Sequence, residues 1–133
     1  MNWREMLLAL RGDGYDVLDW LSAVENPDGT VRITACLVRS DAPREVRLVQ
    51  APAPVESVAD IFPSAAWHER ETAEMFGVTF AGHPNPRRLL LPDDAGAPLR
   101  KDVPLPGRLG HWPGEMDPAK PGRRQSPPGT PWQ

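Results

Sequence analysis

Apolar positions at the start of the chain follow a helical period. They fall at i, i+3, i+4 and i+7, which predicts a helix with one apolar face. Asn2 is suited to cap the first turn of this helix, and Gly12 stands just past its predicted end. A helix this short needs another surface to pack on. The residues of the apolar face are Trp3, Met6, Leu7 and Leu10.

The period then changes to the alternation that is typical of strands. Residues 15–24 are apolar and fit either a strand or a helix, and Asn26-Pro27-Asp28-Gly29 is a strong turn signal. Residues 31–38 alternate so that one face is mainly apolar, and a further strand is predicted over 44–49. Because the connections between these segments are short, we expect an antiparallel meander.

Prolines and glycines mark the boundaries that follow. Ser57-Val58-Ala59-Asp60 resembles a capping box and predicts a helical turn. A second helix is predicted from Pro63 to about Phe76, with Gly77 as its C-terminal cap. Beyond a stiff loop at 82–86, residues 88–91 are predicted to form a strand.

Composition divides the chain in two. Nine of the 17 prolines lie from Pro98 onward, where apolar periodicity is absent, so this segment cannot bury enough surface to offset the entropy of ordering. We expect a folded body over 1–97 and an extended basic tail over 98–133. The tail carries a net charge of +3 and the whole chain −3, so the body carries −6. The expected fold class is α+β, with helices packed on a small antiparallel or mixed sheet.

Several classes of function are disfavoured by what the sequence lacks. The single cysteine, Cys36, permits no intrachain disulfide, redox pair or self-contained iron–sulfur cluster. Nucleophile-elbow, dinucleotide-binding and Walker motifs are absent, and an acidic body argues against non-specific binding of nucleic acid. No apolar run approaches the roughly 20 residues that span a bilayer. We therefore expect a cytoplasmic protein without a visible active site.

The second predicted helix mixes charges with apolar residues on several sides. At 100° per residue, Glu69 and Arg70 share one side with two alanines, whose small size lets a neighbour press against both charges. The alternative is a solvated helix with i,i+4 pairs such as Arg70–Glu74, each worth about 0.3–0.5 kcal/mol. The residues alone leave both interpretations open.

A metal or acid/base site is a further hypothesis for this region. The zincin pattern needs a second histidine four residues after the first, and Thr72 stands at that position after His68. The signal is therefore weak, but a small stand-alone metal-dependent hydrolase using His68, Glu71 and His83 stays open as a different class. The candidate ligands are His68, Glu69, Glu71, Glu74 and His83.

Two arginines follow the stiff loop. Because Pro84 and Pro86 restrict the loop, little entropy is lost when Arg87 and Arg88 engage carboxylates or carbonyls. One interpretation is a pair of solvated arginines before an edge strand. The other is an interface anchor, since arginine is favoured at binding hot spots.

These residues together resemble the signature of the 30-kDa subunit family of respiratory complex I, which is the C subunit of NADH-quinone oxidoreductase. The family usually has Asp at the position of Glu74 and a larger apolar residue at that of Pro86. The segment 98–102 resembles the family's segment just after the core, and the tail resembles that of actinobacterial-type members. The resemblance implies that the tail over 98–133 wraps partner subunits. The signature and expected interface residues are Glu69, Arg70, Glu71, Glu74, Phe76, Gly77, His83, Pro84, Arg87, Arg88 and Leu89.

The resemblance implies a non-catalytic subunit in the peripheral arm of a proton-translocating NADH:quinone oxidoreductase. It implies docking on the hydrogenase-large-subunit-like D subunit, near the B subunit, at the cytoplasmic face of the cell membrane. NADH, FMN, iron–sulfur clusters and quinone would belong to the assembled complex, and none would be bound by this chain. Related subunits of energy-converting hydrogenases and ferredoxin-linked complexes are the alternative.

Overall fold

A computed structural model describes residues 2–42 and 44–104 of the 133. Most of the predicted tail therefore lies outside the described residues. In chain order, the elements are α1 (Trp3–Gly12), β1 (Val17–Glu25), β2 (Val31–Val38), β3 (Val46–Pro52), β4 (Val55–Glu56), α2 (Ala65–Phe76) and β5 (Phe80–Ala81).

Helix α1 begins at a reciprocal cap. The amide of Glu5 donates to Asn2 Oδ1, and the Glu5 carboxylate accepts the Asn2 amide, both at 2.8 Å. Trp3 and Leu7 are buried, so the predicted apolar face is confirmed. The helix includes Gly12 as its last residue instead of ending before it.

Strands β1, β2 and β3 form an antiparallel sheet in that order, as the meander prediction expects. The segment 15–24, which fits either type of element from sequence alone, is mostly strand. The predicted turn between β1 and β2 forms, with the Gly29 amide on the Asn26 carbonyl at 3.0 Å. Gly29 has φ 80°, which a side chain would disfavour.

The two faces of this sheet differ. Helices α1 and α2 pack on the inner face, where Ile33, Ala35 and Leu37 are fully buried. The outer face of an antiparallel sheet is commonly polar, but here it keeps large apolar side chains, each more than a third exposed. These residues are Val17, Trp20, Val24, Val46 and Leu48.

A second, two-stranded sheet pairs β4 with β5 in parallel, with Val55 opposite Phe80. Helix α2 is the connection between these strands along the chain. The Ser57 amide extends the pairing by donating to the Ala81 carbonyl at 2.8 Å. This pairing brings the residues after β4 and the residues after β5 together beside α2.

The predicted capping box at 57–60 does not form. A turn is present, because the Phe62 amide donates to the Val58 carbonyl at 2.8 Å, but α2 starts only at Ala65. The Asp60 carboxylate is instead paired with the Arg4 guanidinium at 2.7 Å. Hydrogen bonding to this guanidinium lowers the pKa of Asp60 to about 2.

The prediction of a strand over 88–91 is wrong. The amides of residues 89–91 donate to one side-chain carboxylate, that of Glu74, instead of to a neighbouring strand. Apolar composition suggested a strand, but a carboxylate on α2 supplies the acceptors that a strand partner would have supplied.

Residues just beyond the predicted boundary at 97 contact the body. The Leu99 amide donates to the Met75 carbonyl at 3.0 Å. The Lys101 amide donates to the Glu25 carboxylate at 2.5 Å, and Arg100 lies 3.4 Å from the same group. The compact unit that contains the described fold runs to Val103.

Candidate functional site

Helix α2 carries most of the charged signature and lies against β1. It ends as predicted at Gly77, which has φ 66° and donates its amide to the Ala73 carbonyl at 2.9 Å. At the other end, the Ser64 hydroxyl donates to the Leu18 carbonyl of β1 at 3.3 Å. Both ends of the helix are therefore held, one by its own cap and one by the sheet.

Glu69 is completely buried on the side of α2 that faces the residues after β4. Its carboxylate accepts the Ser57 hydroxyl at 2.5 Å and the Val58 amide at 2.7 Å. Burial raises the pKa of Glu69, and these two hydrogen bonds oppose that effect. The sequence interpretation that pressed Glu69 against a neighbour is confirmed, and the neighbour is this chain's own backbone.

His83 reaches the same side of α2 from the loop after β5. Its Nδ1 accepts the Asn85 amide at 2.9 Å, so its Nε2 carries the proton and donates to the Ala66 carbonyl at 3.0 Å. The Nε2 atom also lies 3.7 Å from the Glu69 carboxylate, and the side chain is 3% exposed. His83 therefore joins the loop to the middle of the helix.

Arg70 binds the next part of the loop. Its Nε donates to the Arg87 carbonyl at 2.8 Å and its Nη2 to the Arg88 carbonyl at 2.7 Å. The guanidinium also lies 5.7 Å from the centroid of the Trp67 ring. The i,i+4 pair with Glu74, which the alternative of a solvated helix requires, is absent from the ion pairs of the described residues, because both side chains bind loop backbone instead.

Glu74 binds the end of the loop. Its carboxylate accepts the amides of Leu89, Leu90 and Leu91 at 3.3, 2.9 and 2.8 Å. Burial acts to raise the pKa of Glu74, but the three amides and the nearby Arg88 outweigh it, so this pKa is lowered. Three successive amides converging on one carboxylate hold the backbone in a tight curve around it.

The two adjacent arginines have different surroundings. The Arg88 guanidinium donates to the carbonyls of Pro92 at 3.0 Å and Gly96 at 3.2 Å, so it fastens the chain that follows. Arg87 is exposed, and its Nε donates to the Asn85 side chain at 3.1 Å. The sequence analysis predicted the same role for both arginines, whereas in the structure only Arg87 directs its charge to solvent.

The remaining signature residues are spread over the same region. Phe76 packs against the core and Leu89 is half-buried, whereas Glu71 and Pro84 are exposed. The structure thus brings most of the signature to the contact between α2 and the loop 83–91. Glu71 is the exception, because it is exposed and takes part in none of the hydrogen bonds that join α2 to the loop in the described residues.

The arrangement does not resemble a metal centre. Within residues 2–42 and 44–104, no group of three His, Cys, Asp or Glu side chains is placed to hold a metal ion. Among the proposed ligands, the carboxylates of Glu69 and Glu74 accept two and three hydrogen bonds respectively. Occupied acceptors of this kind suit a structural role in shaping backbone.

Sequence reasoning missed the partners of these charges. Ser57 was interpreted as a helix cap, yet its hydroxyl belongs to Glu69. Asn85 was only a loop residue, yet its amide orients His83. The sequence offered only a general indication of these partners. A carboxylate that lies between alanines on a buried side of a helix needs hydrogen-bond donors, and such donors had to come from neighbouring segments of the chain.

The model of a family described as "Respiratory-chain NADH dehydrogenase, 30 Kd subunit" matches residues 1–109, most of the chain. The chain belongs to this family. The resemblance that the signature suggested is therefore confirmed. In the described part of the chain, no helix is both long and apolar enough to cross a membrane.

Similar proteins carry related names. The C subunit of NADH-quinone oxidoreductase from Acidothermus cellulolyticus is 39% identical over 133 residues, covering 92% of this chain and 69% of the relative. The J subunit of NAD(P)H-quinone oxidoreductase from Prochlorococcus marinus is 37% identical over 118 residues, covering 79% and 68%. A shorter match, 57% over 51 residues, covers 38% of this chain and 8% of the C/D subunit of NADH-quinone oxidoreductase from Cronobacter sakazakii. The first of these agrees with the predicted actinobacterial type.

Proposed function

We propose that this chain is a structural and assembly subunit, without an active site of its own, in the peripheral arm of a proton-translocating NADH:quinone oxidoreductase. It docks on the hydrogenase-large-subunit-like D subunit, near the B subunit, and so supports electron transfer from NADH to quinone. NADH, FMN, the iron–sulfur clusters and quinone are bound by other subunits. The complex holds the chain at the cytoplasmic face of the cell membrane.

This proposal is supported mainly by the hydrogen bonds that the charged signature residues make within the chain. Glu69, Arg70 and Glu74 direct their polar atoms at hydroxyl and backbone groups of this chain. Groups that act on a substrate have to reach its reacting atoms. Arg70 and Glu74 instead bind the backbone of the loop, and Glu69 binds the segment that follows β4. A non-catalytic role accounts for a dense cluster of charges that is engaged in internal bonds.

The loop also supplies a candidate docking surface, which we define as Trp67, Arg87 and Leu90. Trp67 is 65% and Leu90 64% exposed, and tryptophan and arginine are among the residues most favoured at hot spots. The rigid attachment of the loop to α2 lowers the entropy lost when these side chains bind. The C/D subunit of Cronobacter sakazakii supports the D subunit as the partner, because its name joins the two.

The test is purification of the tagged full-length chain from its native host. We expect the D subunit and NADH:quinone activity in the purified material, and at least about tenfold less of both with Arg87→Ala, because a hot-spot truncation costs about 2 kcal/mol or more. Arg32→Ala, which removes another exposed arginine, serves as the matched control and should leave both unchanged.

Two results would overturn the proposal. One is recovery of the chain alone with a stoichiometric metal, which would favour the hydrolase alternative. The other is recovery with hydrogenase subunits and hydrogenase activity, which would assign the chain to the related complexes. Equal losses with Arg87→Ala and Arg32→Ala would remove Arg87 from the docking surface without touching the assembly role.

A further inference from the structure

The two edges of the three-stranded sheet differ in how they are protected. At β1, the pairing register shifts between Leu18 and Trp20, and the Ser64 hydroxyl occupies the Leu18 carbonyl. Such irregularities and covers keep an edge from pairing with another chain. Strand β3 pairs with β2 without a register shift from Val46 to Pro52. On the free edge of this strand, Pro52 at its last position lacks an amide, whereas residues 46, 48 and 50 keep theirs.

The direction of the backbone groups along β3 follows from its ends. The Ala53 amide donates to the Val31 carbonyl at 2.8 Å, and the Arg39 amide donates to the Glu45 carbonyl. Hydrogen-bonded pairs alternate along an antiparallel ladder, so the odd-numbered residues of β3 face β2. The amides and carbonyls of residues 46, 48 and 50 point away from the sheet, and no described residue bonds to them.

An apolar groove runs beside this free edge. Its walls are residues of α1 and β3, including Met6, Leu10 and Leu48. Leu48 is 59% and Val46 44% exposed. Free backbone donors and acceptors next to an apolar groove are what an added strand requires, because main-chain bonds give affinity and pockets receive alternate side chains.

The charge at this edge indicates the chemistry of the occupant. Arg44 and Arg47 have no carboxylate within ion-pair distance among the described residues, although the body is acidic overall. The Arg47 guanidinium is 5.5 Å from the Tyr15 ring centroid, a contact that leaves its N–H groups available. Glu45 lies between the arginines and accepts the Tyr15 hydroxyl at 3.5 Å. An acidic residue in the occupant would complement this edge.

We propose that β3 binds an extended segment of a neighbouring subunit, which adds as a fourth strand, fills the groove with apolar side chains and places an acidic side chain near Arg47. This inference rests on the proposed function, because the occupant comes from the same assembly. A second copy of the chain is the poorer occupant, since it would bring Arg44 and Arg47 of both copies to one seam.

The first test separates backbone from side chain at residue 48. Leu48→Pro removes an amide that points away from β2, so the existing ladder keeps its bonds, whereas Leu48→Ala keeps the amide. Against wild-type chain purified with its complex, we expect at least about tenfold less co-purified complex for Leu48→Pro, because a partner carbonyl loses its donor, and a smaller loss for Leu48→Ala. Equal recovery with Leu48→Pro would overturn the inference.

The second test uses a chain whose backbone is unchanged. A photoreactive amino acid at Gln50 in the full-length chain should cross-link to one segment of another subunit, and the same group at Asp28, in the turn between β1 and β2, should not. Cross-links to a second copy, to residues 105–133 of the same chain, or to nothing in an intact complex would each overturn the inference.

Hydrogen exchange completes the comparison without any substitution. The amides of Val46, Leu48 and Gln50 should exchange at least about tenfold more slowly in the complex than in the free chain, because an added strand protects them. Unchanged exchange of these amides in an assembled complex would refute the added strand but would leave the proposed function intact. Failure of the wild-type chain to recover any complex subunits would overturn the proposed function as well.

Discussion

The sheet and the α2–loop region are held together by different means. In the sheet, strands pair through their backbones and the inner face is sealed by apolar side chains such as Ile33 and Leu37. In the α2–loop region, charged side chains bind backbone atoms directly, with Arg70 on two carbonyls and Glu74 on three amides. The first region depends on burying apolar area and the second on satisfying polar groups.

This difference predicts how each region responds to substitution. Loss of apolar volume in the sheet costs the transfer and cavity energy of the missing atoms. Loss of a charge in the α2–loop region leaves its former donors or acceptors unpaired, which costs more than the bond itself was worth. Because Arg70 and Glu74 hold the backbone of the loop, this region should be sensitive to substitution at a few positions and tolerant elsewhere.

The largest expected effect in the α2–loop region comes from the buried charge. Glu69→Ala should lower the free energy of unfolding by about 2–4 kcal/mol, because the Ser57 hydroxyl and the Val58 amide would each be left unpaired. That is comparable to the roughly 2–5 kcal/mol expected of Leu37→Ala in the sheet. Urea unfolding of the full-length variants measures both.

Glu71→Ala is the matched control, since it removes an exposed carboxylate from the same helix. It should change the free energy of unfolding by less than about 0.5 kcal/mol. If Glu69→Ala and Glu71→Ala lowered the free energy of unfolding equally, burial of the Glu69 charge would not account for the loss. The proposed difference between the sheet and the α2–loop region would then be contradicted.

A smaller effect concerns pH, and the two buried carboxylates of α2 should act in opposite directions. The pKa of Glu69 is raised above its ordinary value of 4.5, so above pH 4.5 the unfolded chain releases a proton that the folded chain keeps, and stability falls as pH rises. The pKa of Glu74 is lowered from the same value, so its stabilising contribution is present above pH 4.5 and is lost as pH falls through the folded pKa.

Unfolding free energies of Glu69→Gln and Glu74→Gln, measured from about pH 3 to 7, separate these contributions. In the parent chain, Glu69 lowers the free energy of unfolding as pH rises above 4.5, and Glu69→Gln should remove this decrease. Glu74 lowers it as pH falls below 4.5, and Glu74→Gln should remove that decrease. Parallel curves for the two variants would contradict the assigned environments.

The smallest effect on stability should distinguish the adjacent arginines. Arg88→Ala should speed amide exchange over residues 92–96, because two carbonyls in that segment lose their donor. Arg87→Ala should leave exchange there unchanged and alter the free energy of unfolding by less than about 0.5 kcal/mol. Faster exchange with both variants would mean that the two side chains share one role.

The sheet could be predicted from the sequence because the patterns that specify it are local and periodic. Alternation over 31–38, the turn at 26–29 and the Gly77 cap each determine structure within a few residues. The family was readable because the signature is specific. The strand predicted over 88–91 was wrong because the partner of its amides, Glu74, lies 15–17 residues earlier. Periodicity carries no information about such a bond, so the geometry of the site required the fold.

The way Glu74 holds its loop also sets the rules for sequence variation there. The bonds to Leu89, Leu90 and Leu91 involve only backbone amides, so they specify no side chain and exclude only proline, which lacks the amide. These bonds by themselves therefore leave the three positions open to many residues while restricting position 74 to a carboxylate. At the exposed position 90, a restriction on the side chain would have to come from outside this chain, through whatever surface it meets.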